Sequence, residues 1–253
     1  RRGARAEAVG HYKKALELAQ AIGNPQLRAQ GHLAMCEVLL EPTPSAGVEH
    51  HCAQADERFG RLGVPELQVR ARIARGNLAQ HQGQHQRART YYKKVLAQLE
   101  GGEIAEGLVD ASTVASQKAN LCQVEHSLKI TGSLLTCREA LKALDALEDT
   151  SGYTEHLAVT AYVTGFAAQR EGRLNQALGY FKRAAEVSMS QSPPQRVRAA
   201  DALLRMGLIY GSGDKDEEAL ATFGRGLAIL KGHQARPEAA ALITQLHQQR
   251  VQA

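Results

Sequence analysis

The 253-residue sequence has no tryptophan and only seven tyrosines and four phenylalanines. Strands draw on aromatic and β-branched side chains, which are thin here, so an ordinary sandwich, barrel or parallel α/β sheet is excluded. Near the middle, the longest charge-free stretch, Leu157 to Gln169, carries Thr and Gly and falls short of the roughly 20 apolar residues a bilayer crossing needs. Four cysteines (Cys36, Cys52, Cys122, Cys137) are too few and too scattered for a disulfide scaffold, and no Asn-x-Ser/Thr acceptor occurs. These two absences favour a reducing, intracellular compartment, cytoplasm or nucleus. Arg1-Arg2-Gly3-Ala4-Arg5 has no apolar signal core and reads as an interior cut of a longer chain or a processed end.

What the chain does have is a repeat. Gly172-Arg-Leu-Asn-Gln-Ala177-Leu-Gly-Tyr-Phe181-Lys-Arg-Ala184 lies over Gly83-Gln-His-Gln-Arg-Ala88-Arg-Thr-Tyr-Tyr92-Lys-Lys-Val95 without a gap. The frame returns from Gly3 through Ala8, Tyr12 and Ala15, and from Asp214 through Ala219, Phe223 and Gly226. Spacings of four and three set a small, a large and a small side chain on one helix face, which lets a second helix approach closely around one ring. Seven residues before the turn stand Gly76, Gly165 and Gly207. Glycine costs about 1 kcal/mol against alanine inside a helix, and a close helix crossing offsets it. Two antiparallel helices per repeat follow.

This code resembles the tetratricopeptide repeat, whose first helix carries a small residue and Gly/Ala and whose second carries Ala, Tyr/Phe and Ala. Small positions Ala8, Ala46, Ala88, Ala177 and Ala219 give units of about 42 residues, longer than the usual 34, with one degenerate unit between Ala88 and Ala177. There Ser133, Cys137 and Ala140 keep the second-helix spacing and Leu121 stands in for the glycine. The resemblance implies an all-α, right-handed superhelical α-solenoid of antiparallel helix pairs. It is expected as one body over 1–253: a lone second helix in 1–24, repeats at 25–64, 65–102, 103–151, 152–192 and 193–233, and a capping helix in 234–253. The helices are expected at 4–22, 25–40, 45–61, 65–82, 84–100, 104–130, 133–149, 153–171, 173–191, 194–211, 215–231 and 236–251.

Catalytic motifs are missing: no phosphate-binding Gly-rich loop ends in Gly-Lys-Ser/Thr, and neither Gly-x-Ser-x-Gly nor His-Glu-x-x-His occurs. Gly211-Ser212-Gly213 is a turn without a paired base. His50-His51-Cys52 and His81-x3-His85 are zinc-ligand types. However, His50 falls at the ring position aligned with Tyr12 and Tyr92, and His81 and His85 straddle the Gly83 turn, so structural or surface roles are expected. Cys36 and Cys137 read as small buried hydrophobes. The chain is therefore expected to be no enzyme and to hold no metal or cofactor.

Charge gives one further signal. Residues 61–94 hold eight Arg or Lys against Glu66 alone, a local net of +7, which either attracts an acidic peptide or phosphate backbone or forms a solvated helix face. Acids follow at Glu100, Glu103, Glu106 and Asp110. That alternation, the overall +5 and the lack of interleaved rings disfavour nucleic acid.

By the resemblance, first helices line a concave groove, and its partner-facing positions fall at Arg28, Met35, Arg70, Asn77, Tyr162, Phe166, Arg170, Arg205 and Leu208. Ile73 replaces the lysine of the family's carboxylate clamp, leaving Asn77 alone. The implied function is a protein–protein interaction scaffold or adaptor in a multi-protein complex. It would bind an extended or helical segment bearing acidic and apolar residues. The alternatives are a sensor domain taking a peptide or small ligand, and a basic repeat protein touching nucleic acid.

Overall fold

The computed structural model describes residues 2–40, 43–102, 104 and 110–252. These residues form twelve α-helices and a short 3-10 turn at Ser151–Tyr153. The chain separates into two compact units, Arg1–Leu128 and Lys129–Ala253. The first holds α1 (Arg2–Ala21), α2 (Pro25–Leu40), α3 (Val48–Leu62), α4 (Pro65–His81), α5 (His85–Glu100) and α6 (Ala111–Ser127). The second holds α7 (Ser133–Asp145), α8 (Thr154–Arg170), α9 (Leu174–Ser190), α10 (Arg196–Gly211), α11 (Asp216–Leu230) and α12 (Pro237–Gln252). Within each unit successive helices pack side by side, the layering of an α-solenoid.

Local chemistry explains the helix ends. Proline opens α2, α4 and α12, where its fixed φ suits the first turn and its missing N–H costs nothing. Asp110 caps α6, its carboxylate accepting from the Thr113 amide at 2.7 Å, and these hydrogen bonds hold the carboxyl below its ordinary pKa. The repeated turn closes identically in three copies. The amides of Gln84, Arg173 and Lys215 donate to the carbonyls of Ala79, Ala168 and Tyr210, five residues back. Gly83 and Gly172 supply the left-handed residue of that closure at φ +71° and +72°, and Asp214 adopts it at φ 56°.

The small–ring–small face is the core. Tyr92 and Phe181 are fully buried and Phe223 nearly so, each flanked by a buried alanine four residues earlier. Each ring lies on the glycine of its partner helix. A Cβ on Gly76, Gly165 or Gly207 would come within 2.6, 2.7 and 2.2 Å of Tyr92, Phe181 and Phe223, respectively. Burying such a ring contributes about 1.5–3 kcal/mol, and only a residue without a side chain leaves room for it. Tyr12 belongs to the same frame but is 37% exposed, because no described helix precedes α1 to cover it.

Two expectations need correction. In α3 the buried face is Val48, Cys52 and Ala55, the counterpart of Ala88, Tyr92 and Val95, so the frame sits two residues beyond Ala46. Cys52 therefore holds the ring position, and His50 is exposed. The cysteines are also not free: Cys36 of α2 is bonded to Cys52 of α3, and Cys122 and Cys137 are disulfide-bonded as well. A separation of 16 residues, the same as Gly165 to Phe181, brings the two thiols together where other hairpins put a ring over glycine. The inference of a reducing compartment, drawn from unpaired thiols, loses that ground.

The middle of the chain is also irregular. A helix expected over 104–130 is instead α6, starting at 111, while Ile104 is buried against Val69 and Val95 after the Gly101-Gly102 break. Glu103, Glu106 and the rest of 105–109 lie outside the described residues. No described helix is long and apolar enough to cross a membrane.

Candidate functional site

The basic block is largely neutralised in three dimensions. Seven of its eight cations face acids from elsewhere in the first unit: Arg61 with Glu57, Arg70 with Glu37, Arg72 and Arg75 with Asp56, Arg87 with Glu49, and Arg89 and Lys93 with Glu125. Asp56 is 8% and Glu125 3% exposed. Buried carboxylates require such partners, because an unpaired charge in that setting costs several kcal/mol. Arg72 Nε and Arg75 Nη1 meet the two Asp56 oxygens at 3.0 and 2.7 Å, so these arginines are internal struts. Of the two roles expected for the block, the solvated face describes the exposed Arg61, Arg70, Arg87, Lys93 and Lys94, while Arg72, Arg75 and Arg89 are half-buried braces.

The groove positions divide in the same way. Met35 is 2% exposed and is a core side chain, so it offers no surface to a partner. Arg28 is half-buried. Arg70 is exposed but paired to Glu37 at 2.8 Å. Asn77 turns its Oδ1 to the Tyr92 hydroxyl at 2.9 Å, and Gln80 Oε1 lies 2.8 Å from the same hydroxyl. Burial pushes the Tyr92 phenol above its ordinary pKa, and it stays a neutral donor. A shallow cavity of about 250 Å³ beside them is lined by Glu37, Leu40, Arg70, Ile73, Ala74 and Asn77.

In the second unit the groove positions come together. Tyr162 and Phe166 of α8 form a T-shaped trio with Phe181, with ring centroids 5.0, 5.2 and 5.7 Å apart. Arg205 of α10 lies over Phe166 at 5.2 Å and stands 3.4 Å from Asp201. The Tyr162 hydroxyl donates to Asp201, and burial, reinforced by that carboxylate, raises the phenol's pKa. Arg170 donates to Ser133 Oγ at 2.8 Å. Leu208 lines a separate cavity of about 250 Å³ with Gly207, Gly211 and Phe223.

Above this network opens a cavity of about 540 Å³ between α8, α10 and α12. Val159, Tyr162, Val197, Ala241 and Leu242 form its apolar lining, and Gln195, Arg198, Asp201, Glu238 and Gln245 its polar one. Sequence reasoning placed Tyr162 on the inner face but missed the wall from α12, treated there only as a cap. The signal was present: residues 238, 241, 242 and 245 recur at helical spacing. Cys52 is buried in its disulfide and cannot serve as a thiolate ligand, and among the described residues no group of three or more His, Cys, Asp or Glu side chains is arranged to hold a metal ion.

Comparison with known proteins agrees with this architecture. The tetratricopeptide repeat family model matches residues 69–97, the α4/α5 hairpin in which Tyr92 covers Gly76. BtubC (BKLC) from P. vanneervenii is similar in structure, with a TM-score of 0.67 and 17% identity over 92% of this chain and 93% of its own. The apo form of the quorum sensor NprR from B. thuringiensis has a TM-score of 0.44 and 14% identity, over 99% of this chain and 80% of its own. No curated protein matches the sequence. The α4/α5 hairpin thus matches the tetratricopeptide repeat, and the chain as a whole has a helical-repeat fold of that kind.

Proposed function

We propose that the protein is a non-enzymatic interaction scaffold that takes a segment of another protein into the groove of its second unit. The observation that carries this reading is the cavity of about 540 Å³ between α8, α10 and α12. Its size and its apolar lining with a few converging polar groups suit insertion of one or two side chains. The Gln195 and Gln245 amides are placed to meet a partner's backbone. Arg198 and Glu238 give the rim both signs, so the segment is apolar at its centre and charged at its ends. Arg70, Arg170 and Arg205 are engaged within the protein, and Arg198 is paired to Glu155 at 2.8 Å, so an acidic residue of the partner competes with Glu155 for Arg198.

A second reading, a sensor domain for a small ligand, draws on the same cavity volume and differs in one readout: a small molecule that fills it raises the melting temperature. The nucleic-acid reading loses the basic block on which it rested. An intracellular location stays part of the proposal without the thiol argument.

The test is co-purification from native extract with the intact chain and with Val159→Asp plus Ala241→Arg, two half-exposed or exposed positions on opposite walls. Far-UV circular dichroism and the thermal midpoint confirm folding of the variant. A partner retained by the intact chain and lost from the variant supports the groove. One retained equally by both sinks it.

A further inference from the structure

The block of basic residues in the sequence is compensated, but a second cationic group, scattered in the sequence, is not. Lys13 of α1, Arg28 and His32 of α2, and His50, His51 and Arg58 of α3 converge on one face of the first unit. The three imidazoles lie with ring centroids 5.1, 5.4 and 5.9 Å apart, and His32 Nδ1 is 3.0 Å from His51 Nδ1. Arg58 is held in place by Gln54 Oε1, which accepts from its Nε and Nη2 at 3.2 and 3.0 Å. Among the described residues, Lys13, Arg28 and Arg58 enter none of the ion pairs that occupy the other arginines of this unit. Glu57, the acid that acts on Arg58, is paired to Arg61.

Helical spacing explains the convergence. Arg28 and His32 are four apart on α2, and His51 and Arg58 seven apart on α3, so each pair lies on one helix face. Cys36, one turn after His32, is bonded to Cys52, the neighbour of His51, and this link ties the two helices together at the site. Lys13 and His50 are exposed, while Arg28, His32, His51 and Arg58 are half-buried, which leaves the site open to solvent.

We propose that this face is a binding site for a single doubly charged oxyanion of the phosphate class, either free phosphate or the phosphate ester of a partner's phosphorylated side chain. Guanidinium groups supply paired N–H donors, and an imidazole pair supplies two more once both rings carry protons. In the free protein the His32–His51 contact needs one ring to donate and the other to accept, so at least one of them is neutral. Burial, then the cations His51, Arg58, His50 and Arg28, push His32 down to about 4. Burial with His50 and Lys13 lowers His51. No acid acts on either ring. An anion seated among them reverses that repulsion, raises both pKa values and draws protons in. Binding of a phosphate ester therefore strengthens as pH falls from 8 toward about 6, where the ester begins to lose its second charge. A nucleic acid needs a track of many phosphates with rings for stacking, and this site is compact and carries no tyrosine, phenylalanine or tryptophan.

The experiment is calorimetric titration of the intact protein at low salt with inorganic phosphate, with a short phosphoserine peptide, with its unphosphorylated twin and with a single-stranded RNA. The imidazole resonances of His32 and His51 are followed in parallel. Expected are binding of phosphate or phosphopeptide with proton uptake at pH 7, and movement of both imidazole signals. Arg28→Ala with Arg58→Ala should weaken binding by about tenfold or more, and Lys94→Ala on α5 should leave it unchanged. Equal affinity for phosphate and phosphopeptide identifies free phosphate as the ligand; a tighter phosphopeptide identifies a modified partner. Still imidazoles at millimolar phosphate, undiminished binding by a folded double variant, or RNA preferred with a steep salt slope would each overturn the proposal. If the double variant does not fold, the imidazole titration of the unaltered protein decides alone.

Discussion

The α2/α3 hairpin of the first unit and the α8/α9 hairpin of the second solve one geometric problem with different chemistry. Each must join two helices at positions 16 residues apart. In α8/α9 the join is Phe181 lying on the bare backbone of Gly165, with Tyr162 and Phe166 edge-on around it. In α2/α3 it is the bond from Cys36 to Cys52. The ring stabilises the folded state through burial and dispersion, whereas the disulfide acts mainly by restricting the unfolded chain. A repeat position thus prescribes that two helices be held there and leaves the means open. The means then shapes the surface. The aromatic hairpin carries Tyr162 to the edge of the cavity in the second unit, and the disulfide hairpin presents histidines and arginines in the first.

This contrast can be broken at three points, all read by urea or thermal unfolding. Removing the ring is the largest. Phe181→Ala empties the centre of the aromatic trio and should cost about 4 kcal/mol; a loss below about 1 kcal/mol would show that the ring is not what holds α8 to α9. Replacing Cys36 and Cys52 together by serine opens a loop of this length and should cost about 3 kcal/mol. The same variant shows no further destabilisation by reductant at this pair, and identical stability of the parent chain with and without reductant would mean that the cross-link contributes nothing. Smallest is Gly165→Ala. Alanine is the better helix former by about 1 kcal/mol, but its Cβ would meet three Phe181 ring atoms at 2.7–2.9 Å. Overpacking of about 1–3 kcal/mol then outweighs the gain. A stabilised variant would refute the close crossing.

Much of the fold was legible because its signals are local. The helices fall within a few residues of the expected ranges except around 104–110, since proline starts, glycine turns and the small–ring–small spacing are each written within one hairpin. The close crossing expected at Gly76, Gly165 and Gly207 is where Tyr92, Phe181 and Phe223 lie on the bare backbone. The α2/α3 hairpin was misread by two residues, because Ala46 and His50 imitate the frame that Val48 and Cys52 occupy, and only burial separates them. With Cys52 off the ring position, its partnership with Cys36 was invisible. The site was less legible than the fold. Tyr162, Phe166 and Arg205 do adjoin one another, but Met35 faces the core, and the wall supplied by α12 follows from how the last helix packs against α10.

By itself the sequence determined an all-helical chain of paired helices and the residues that close each pair, because helix periodicity and turn chemistry act over spans of a few residues to one hairpin. Tertiary structure alone decided where charge is spent and where it is left over. Arg72 and Arg75 find Asp56 across 16 and 19 residues, and Arg87 and Arg89 find Glu49 and Glu125 across 38 and 36. Lys13, Arg28 and Arg58 meet no such acid. Coulomb attraction acts through space, so most of the strongest run of charge along the chain found acids, with Arg72, Arg75 and Arg89 as half-buried braces, and cations far apart in sequence became an uncompensated cluster.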